Sequence, residues 1–232
     1  MKGYISSIES MGLFDGPGIR CVVFLSGCPL RCKFCHNPEM WTINNSEVYT
    51  PKELMEKIIR FKPYFGENGG VTFSGGEPLN QIEFLEEVID LCKKEEINTC
   101  LDTSGVGKNY ESILKKVDLV ILDIKDYRDN NYKDLTGHRI LEYKNFLDDC
   151  IKLNKKLWLR QVIVPGLNDN KEYILGLKEY IKNIPNVEKV ELLPYHTMGV
   201  EKYEKLGIDY PLKGILNMDK NKCLELETLL KD

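Results

Sequence analysis

The stretch IRCVVFLSGCPLRCKFCHNP (residues 19–38) joins a predicted buried strand to a group of three cysteines. Residues 19–27 are rich in β-branched and apolar side chains and end in glycine, a pattern typical of a strand inside a parallel sheet. Cys28, Cys32 and Cys35 follow within eight positions, and no fourth cysteine lies nearby. Because thiolates are soft ligands that suit zinc or iron–sulfur centres, the stretch predicts a metal centre at the end of a buried strand.

The strand pattern recurs along the chain. Five further apolar stretches predict strands at residues 70–76, 98–105, 118–126, 157–166 and 187–196. Apolar residues at three- and four-residue spacing predict helices between them, at residues 50–62, 81–95, 110–117, 142–154 and 171–183. Six strands that alternate with helices imply a parallel sheet with right-handed crossovers. We therefore predict an α/β fold, an open barrel in preference to a doubly wound sheet, and one domain over residues 1–232.

The composition argues against several classes of protein. The chain has 232 residues, a formal net charge of −4 and 42% hydrophobic residues, which is typical of a globular domain without a global attraction to nucleic acid. No apolar run approaches the roughly 20 residues of a membrane span, and the N-terminus lacks the apolar stretch of a signal peptide. We expect a cytoplasmic protein with no nucleic-acid or membrane partner. In such a protein, eight cysteines indicate a metal or redox site in preference to disulfides.

The predicted strands end in an unusual number of polar residues. The second strand runs into SGGEP (74–78), and the others end at or carry Asp102, Asp123, Lys125, Arg160 and His196. In parallel α/β folds the carboxyl ends of the strands form the site. Burial of charged side chains is costly unless they are paired or bound to a ligand, so we expect these residues to converge on one site.

Three clustered cysteines leave the nature of the metal open. Structural zinc almost always takes four protein ligands, and the remaining cysteines form no second pair. His36 is adjacent to Cys35, so binding of one metal by both would strain the chain. A four-iron, four-sulfur (4Fe-4S) cluster with one open iron would use three thiolates. Zinc and unliganded structural cysteines remain as alternatives.

The cysteine spacing resembles the signature of radical S-adenosylmethionine enzymes, since Phe34 lies directly before the third cysteine. Seven stretches resemble, in order, the motifs of pyruvate formate-lyase activating enzymes: ESMGLFDGPGIR (9–20), FCHNPEMW (34–41), FSGGEPL (73–79), TCLDTSG (99–105), LDIK (122–125), RQVIVPG (160–166) and ELLPYH (191–196). The resemblance spans nearly all of residues 5–200, with a core at about 15–200, while residues 201–232 match only loosely.

This resemblance implies a partial (β/α)6 barrel of the TIM type, with one 4Fe-4S cluster near the end of the first strand. In the family, S-adenosylmethionine binds the open iron, and an electron from a reduced flavodoxin or ferredoxin yields methionine and a 5′-deoxyadenosyl radical. The radical takes a hydrogen atom from a backbone glycine of a large partner enzyme. The implied protein is a monomeric oxidoreductase that generates a glycyl radical on pyruvate formate-lyase under anaerobic conditions.

The resemblance also implies roles for individual residues. Cys28, Cys32 and Cys35 would hold the cluster, and Asp15 would act beside the glycine loop of the partner. The carboxylates of Asp102 and Asp123, which also suit an oxygen-ligated cation by their chemistry, would help to bind a monovalent cation beside the cofactor. The residues implied in cofactor binding are Phe34, His36, Gly75, Gly76, Glu77, Asp102, Thr103, Asp123, Ile124, Lys125, Arg160 and His196.

Other functions stay open at this point. The protein could activate a different glycyl radical enzyme, or it could be a radical enzyme that acts on a small molecule or on an anaerobic ribonucleotide reductase. A non-catalytic metal-binding module is a third class, and stoichiometric zinc in a colourless preparation would distinguish it. The loose match over residues 129–140 and 201–232 bears on recognition of the partner.

Overall fold

The computed structural model of the protein describes residues 1–230, and one eight-stranded sheet forms its centre. The strands are β1 (Gly3–Gly12), β2 (Arg20–Leu25), β3 (Glu47–Tyr49), β4 (Gly70–Gly75), β5 (Asn98–Thr103), β6 (Leu119–Asp123), β7 (Leu157–Ile163) and β8 (Val187–Pro194). Their order across the sheet is β3-β1-β2-β4-β5-β6-β7-β8. Six strands are parallel, and each pairs with the next one along the chain: β2, β4, β5, β6, β7 and β8. The predicted α/β fold with six parallel strands, a partial barrel, is confirmed.

The sequence pattern does not predict β1 or β3, which extend the sheet beyond β2. Strand β1 runs antiparallel to both neighbours, with Ile5 opposite Leu25 on one side and Glu47 on the other. The second half of β1 is mostly exposed, and β3 has only three residues. Backbone hydrogen bonds to β2 therefore position β1 more than burial of side chains does, so its hydrophobic pattern is weak.

Eight α-helices accompany the sheet within the described residues. They are α1 (Pro51–Ile58), α2 (Ile82–Lys94), α3 (Glu111–Lys116), α4 (Asp129–Thr136), α5 (Leu141–Lys152), α6 (Lys171–Lys182), α7 (Val200–Leu206) and α8 (Lys220–Thr228). Short 3-10 helices lie at Pro38–Trp41, Ile59–Tyr64, Pro78–Gln81 and Thr197–Gly199. The five predicted helices are present, whereas α4, α7 and α8 are not predicted. Helices α4 and α8 are rich in Asn, Asp, Glu and Lys, so few apolar residues mark a buried face.

The first helix shows how local sequence fixes an element. Thr50 precedes Pro51, and its hydroxyl accepts a hydrogen bond from the N–H of Glu53 (3.3 Å). The Glu53 carboxylate accepts in return from the N–H of Thr50 (2.8 Å). This capping box satisfies two backbone donors that would otherwise lack partners, so α1 begins at Pro51.

The core lies between the sheet and the helices. Strand residues such as Val71 and Leu101 have no exposed surface, and Leu85 and Val88 of α2 are equally buried. Burial of one such side chain contributes about 1.5–3 kcal/mol. Within residues 1–230 the structure contains no helix with the length and hydrophobicity needed to cross a membrane.

Two glycines shape the carboxyl ends of the first parallel strands. Gly75 has a φ of +118°, and a Cβ atom there would lie 2.3 Å from the carbonyl oxygen of Leu25. Gly27 has a φ of +91°, and its Cβ would lie 2.6 Å from the side chain of Asn80. Only glycine fits both positions, which lets the ends of β2 and β4 approach each other closely.

Candidate metal centre and cofactor pocket

A pocket of about 210 Å³ contains the three clustered cysteines and the ends of β4, β5 and β6. Most of the predicted site residues line it, namely Cys28, Cys32, Phe34, Cys35, His36, Gly75, Gly76, Asp102, Thr103, Asp123 and Lys125. The other predicted residues, which do not line this pocket, are Asp15, Glu77, Ile124, Arg160 and His196. The structure thus brings residues from four separate parts of the sequence around one cavity.

The cysteine loop, residues 27–41, is held by backbone hydrogen bonds on two sides. One side closes onto its own 3-10 helix, and the other is joined to the last turn of α4. The bonds run from the N–H of Gly27 to the carbonyl of Met40 (2.8 Å), from Arg31 to Thr136 (2.8 Å) and from Lys33 to Leu135 (2.9 Å). These hydrogen bonds therefore fix the position of the loop relative to α4.

Burial controls the protonation of the three thiols. It raises the pKa of Cys28 to about 12 and that of Cys32 to about 11, and it also raises the pKa of Cys35. Hydrogen bonds from the Leu30 backbone to Cys28 and from the Trp41 side chain to Cys35 oppose this effect on the pKa. A positively charged iron centre would displace these protons. Three soft donors in one pocket fit the ligand set of a 4Fe-4S cluster.

Among residues 1–230, no three His, Cys, Asp or Glu side chains are arranged to hold one ion.

A second group, which we name the carboxylate wall, consists of Asp102, Asp123, Lys125 and Arg160. The Ser74 hydroxyl donates to Asp102 (2.7 Å), and a guanidinium nitrogen of Arg160 lies 3.6 Å from the same carboxylate. Lys125 Nζ lies 2.6 Å from Asp123. Strands β4, β5, β6 and β7 each contribute to this arrangement, so the parallel register of the sheet assembles it.

Charges within the carboxylate wall are strongly coupled. Burial raises the pKa of Asp102 to about 6, although the Arg160 guanidinium opposes this rise, and Asp123 adds to it. Burial lowers the pKa of Lys125, but the negative charges of Asp123 and Cys32 outweigh it and the pKa is raised overall. Lys125 therefore stays protonated, and its ammonium lies 5.5 Å from the ring centre of Phe34. The wall offers carboxylate oxygens and cations to one zwitterionic or charged ligand.

Two histidines stack at the edge of the pocket. The ring centres of His36 and His196 are 3.7 Å apart, and Nε2 of His36 donates to the backbone carbonyl of His196 (2.9 Å). Burial, with a smaller contribution from His196, lowers the pKa of His36 to about 4. His36 is therefore neutral near pH 7. The buried Nδ1 of His196 has no hydrogen-bond partner among the described residues.

Glu77 and Ile124 lie behind the pocket surface. Glu77 is fully buried, and its carboxylate accepts hydrogen bonds from Thr103 Oγ1 (2.5 Å) and from the N–H of Ser104 (2.8 Å). Burial raises the pKa of Glu77, and these hydrogen bonds oppose the rise. Ile124 is 1% exposed and its N–H donates to the carbonyl of Arg160. In the structure these two residues support the walls, and their predicted contacts with the cofactor stay predictions.

Asp15 lies on the loop between β1 and β2. The Thr72 hydroxyl donates to the backbone carbonyl of Asp15 (2.6 Å), and Arg160 donates to the carbonyl of Phe14. Burial raises the pKa of the Asp15 carboxyl, while Arg160 and Arg20 lower it. Arg160 therefore joins this loop to the carboxylate wall.

Six further residues line the pocket and are absent from the predicted set, namely Leu30, Asn37, Trp41, Ser74, Ser104 and Val162. All except Leu30 fall inside the motifs that carry the family resemblance, and Leu30 lies between the first two cysteines. Only their positions within these motifs could have identified them from the sequence, since none has a charged side chain.

The chain is similar to known proteins over most of its length. The profile of the Radical SAM superfamily matches residues 22–177. The pyruvate formate-lyase-activating enzyme of Clostridium pasteurianum is 55% identical over 100% of this chain and 98% of its own length. The enzyme of the same name from Staphylococcus epidermidis is 42% identical over 93% of this chain and 90% of its own length.

The fold has solved counterparts. A domain of a pyruvate-formate lyase-activating enzyme from Bacteroides vulgatus superimposes with a TM-score of 0.57, at 20% identity, over 71% of this chain and 94% of that chain. The profile covers more than half of the chain, and the two curated relatives cover nearly all of it. The chain therefore belongs to the Radical SAM superfamily and, within it, to the family of pyruvate formate-lyase-activating enzymes.

Proposed function

We propose that the protein generates a glycyl radical on pyruvate formate-lyase under anaerobic conditions. Family membership implies a 4Fe-4S cluster and S-adenosylmethionine as cofactors. When bound and reduced, this pair supplies a 5′-deoxyadenosyl radical, which can remove a hydrogen atom from a backbone glycine. The observation that carries the proposal is the pocket itself, which combines three cysteines with the carboxylate wall in a chain 55% identical to a named activating enzyme.

The cysteine loop has the task of holding the cluster. Cys28, Cys32 and Cys35 would each give up a proton and bind one iron, which leaves the fourth iron for the cofactor. The hydrogen bonds of the loop to α4 and to the 3-10 helix Pro38–Trp41 keep the three side chains in place, so little conformational entropy is lost when the cluster binds.

Other residues of the pocket would hold S-adenosylmethionine. Gly75 and Gly76 line the pocket without side chains, which would let the methionine end approach the backbone. Neutral His36 with Phe34 offers flat ring surfaces for the adenine. The unpartnered Nδ1 of His196 supports a role for that residue in binding. Glu77 and Ile124 would act from behind the surface.

The carboxylate wall would bind the charged part of the cofactor together with a monovalent cation. Oxygen atoms of Asp102, Thr103 and Asp123 border one region of the pocket, and such hard ligands suit an alkali cation. Lys125 pairs with Asp123 and Arg160 lies beside Asp102, so two cations balance the negative charge of the carboxylates. A bound cation would oppose the effect of burial and lower the raised pKa of Asp102.

The partners follow from the same chemistry. Asp15 and the exposed Phe14 lie on the loop that Arg160 joins to the pocket, which supports contact with the glycine-bearing loop of pyruvate formate-lyase. A reduced flavodoxin or ferredoxin would supply the electron. We further propose that the protein acts as a monomer in the cytoplasm.

Electron paramagnetic resonance of the anaerobically reconstituted, reduced protein tests the proposal. With S-adenosylmethionine and pyruvate formate-lyase, we expect a glycyl radical doublet on the lyase, and none with the Cys32→Ala variant. Formation of 5′-deoxyadenosine without the doublet would contradict the lyase as substrate and leave the radical chemistry in place. Absence of both products from a protein with a full cluster would contradict the proposal as a whole.

A further inference from the structure

Two buried tyrosines have hydroxyl groups that form no hydrogen bond. Tyr132 and Tyr203 are both fully buried, and the hydroxyl of neither has a partner. Only five buried side-chain atoms among residues 1–230 lack a partner in this way. An unsatisfied buried hydroxyl destabilises a fold, so such groups are rare and call for a bound partner that the protein atoms do not supply.

Tyr132 lies on the side of the pocket that carries Cys32. It is part of α4, whose last turn accepts the backbone hydrogen bonds that hold the cysteine loop. Burial raises the pKa of the Tyr132 hydroxyl most strongly. The negative charge of Cys32 is the next largest cause of the rise. Lys125 opposes that rise, and Glu77 and then Cys28 add to it.

Tyr203 belongs to a different helix, α7. Its ring meets the ring of Trp41 edge to face, with centres 5.7 Å apart, and Trp41 lines the pocket. The neighbouring Lys202 donates to Asn37 (2.6 Å), which ties α7 to the cysteine loop. After burial, the charge of Cys35 raises the pKa of Tyr203 most strongly, followed by that of Cys32.

The two tyrosines thus lie against the same loop from two separate helices. The last turn of α4, which carries Tyr132, bonds to the two residues that flank Cys32, and Tyr203 contacts Trp41 at the end of the loop. We propose that Tyr132 and Tyr203 donate hydrogen bonds to cysteine sulfurs of the bound 4Fe-4S cluster, Tyr132 to that of Cys32 and Tyr203 to that of Cys35. No proton is transferred, and the tyrosines stay neutral. This inference rests on the cluster of the proposed function and is independent of the identity of the partner enzyme.

Hydrogen bonds to the sulfurs change the reduction potential of a cluster. One-electron reduction adds negative charge to the cluster, and part of that charge lies on the thiolate sulfurs. A donor at the sulfur therefore stabilises the reduced form more than the oxidised form and raises the potential. The two tyrosines would make the cluster easier to reduce by a protein electron donor.

Tyr132→Phe and Tyr203→Phe test the inference, since each removes only the hydroxyl. The measured quantity is the midpoint potential of the reconstituted cluster, obtained by titration with a chemical reductant and detected by electron paramagnetic resonance. We expect each variant to shift the ratio of oxidised to reduced cluster at a fixed potential by about three- to tenfold toward the oxidised form. A tenfold shift is about 59 mV for a one-electron couple.

Tyr173→Phe is the matched control. Tyr173 is 3% exposed, and its hydroxyl already donates to Gln161 (3.2 Å) away from the cysteine loop. The midpoint potential of the cluster in Tyr173→Phe should equal that in the parent protein. Unchanged potentials in both Tyr132→Phe and Tyr203→Phe, with parent-like iron and sulfide contents, would overturn the inference and leave the proposed function intact. Failure of the parent to assemble a cluster would instead overturn the proposed function.

A second measurement does not depend on the midpoint potential. It can be made even if only one of the two tyrosine variants assembles a cluster. Resonance Raman spectra of the parent cluster report the iron–cysteine sulfur stretches, which shift in D2O when exchangeable hydrogens bond to the sulfurs. We expect this shift in the parent to be larger than in whichever tyrosine variant assembles. An equal shift in the parent and that variant would count against the inference.

Discussion

The cysteine loop and the carboxylate wall face each other across one pocket, but they are specified in opposite ways. The loop draws its three cysteines from eight consecutive positions, and backbone hydrogen bonds fix it. The wall draws its members from β5, β6 and β7 and from the residues that follow them, and side-chain charges hold it together. A locally encoded ligand set can be predicted from spacing alone, whereas a distributed one depends on the register of the sheet.

The largest expected effect breaks the loop. Replacement of Cys28, Cys32 or Cys35 by alanine should abolish cleavage of S-adenosylmethionine, because two thiolates cannot hold the cluster with its proper geometry. Iron, sulfide and 5′-deoxyadenosine are measured together after anaerobic reconstitution. Cys150→Ala is the control, since Cys150 is buried in α5 outside the pocket and its loss should leave iron content unchanged. Normal cleavage by any variant of the three clustered cysteines would refute the ligand assignment.

Damage to the wall should be smaller and of a different kind. Asp102→Asn keeps the shape of the side chain but removes the charge beside Arg160 and Ser74. We expect affinity for S-adenosylmethionine to fall by about 10–100-fold while the cluster assembles normally. Equilibrium binding to the oxidised holoprotein provides the measurement, with Asp149→Asn as the control outside the pocket. Parent-like affinity would assign Asp102 a purely structural role.

The wall should also respond to pH in the protein without cofactors. Burial raises the pKa of Asp102 from 3.8 to about 6, so between these values the folded state binds a proton more tightly than the unfolded chain. The contribution of Asp102 to the free energy of unfolding therefore falls as pH rises through this window, by about 1–3 kcal/mol. Urea unfolding at several pH values should show the fall in the parent and its absence in Asp102→Asn. If the free energies of unfolding of the parent and of Asp102→Asn differ by the same amount at every pH, this pKa is contradicted.

The contrast explains what the sequence could and could not predict. The six parallel strands and five helices have strong hydrophobic patterns, and the cysteine spacing indicates the metal centre directly. Strand β1 and helix α4 have weak patterns because backbone hydrogen bonds and a few buried side chains fix them. Tertiary contacts alone reveal that Arg160 bridges Asp102 and the Phe14 carbonyl, or that Glu77 faces Ser104 and not the pocket. Such contacts join residues far apart in the chain, and no spacing encodes them.

The smallest expected effect concerns the start of α1. It tests whether a change in this locally specified helix end leaves the pocket unaffected. Thr50→Ala removes the capping hydroxyl of α1 and should lower the free energy of unfolding by about 1 kcal/mol. Thermal unfolding measures this change, and Lys52→Ala, an exposed substitution in the same turn, should alter stability by less than about 0.5 kcal/mol. Cofactor affinity should stay at the parent value, because no residue of α1 lines the pocket. A loss of affinity in Thr50→Ala would mean that a helix end remote from the pocket still controls it, and the division between local and distributed encoding would fail.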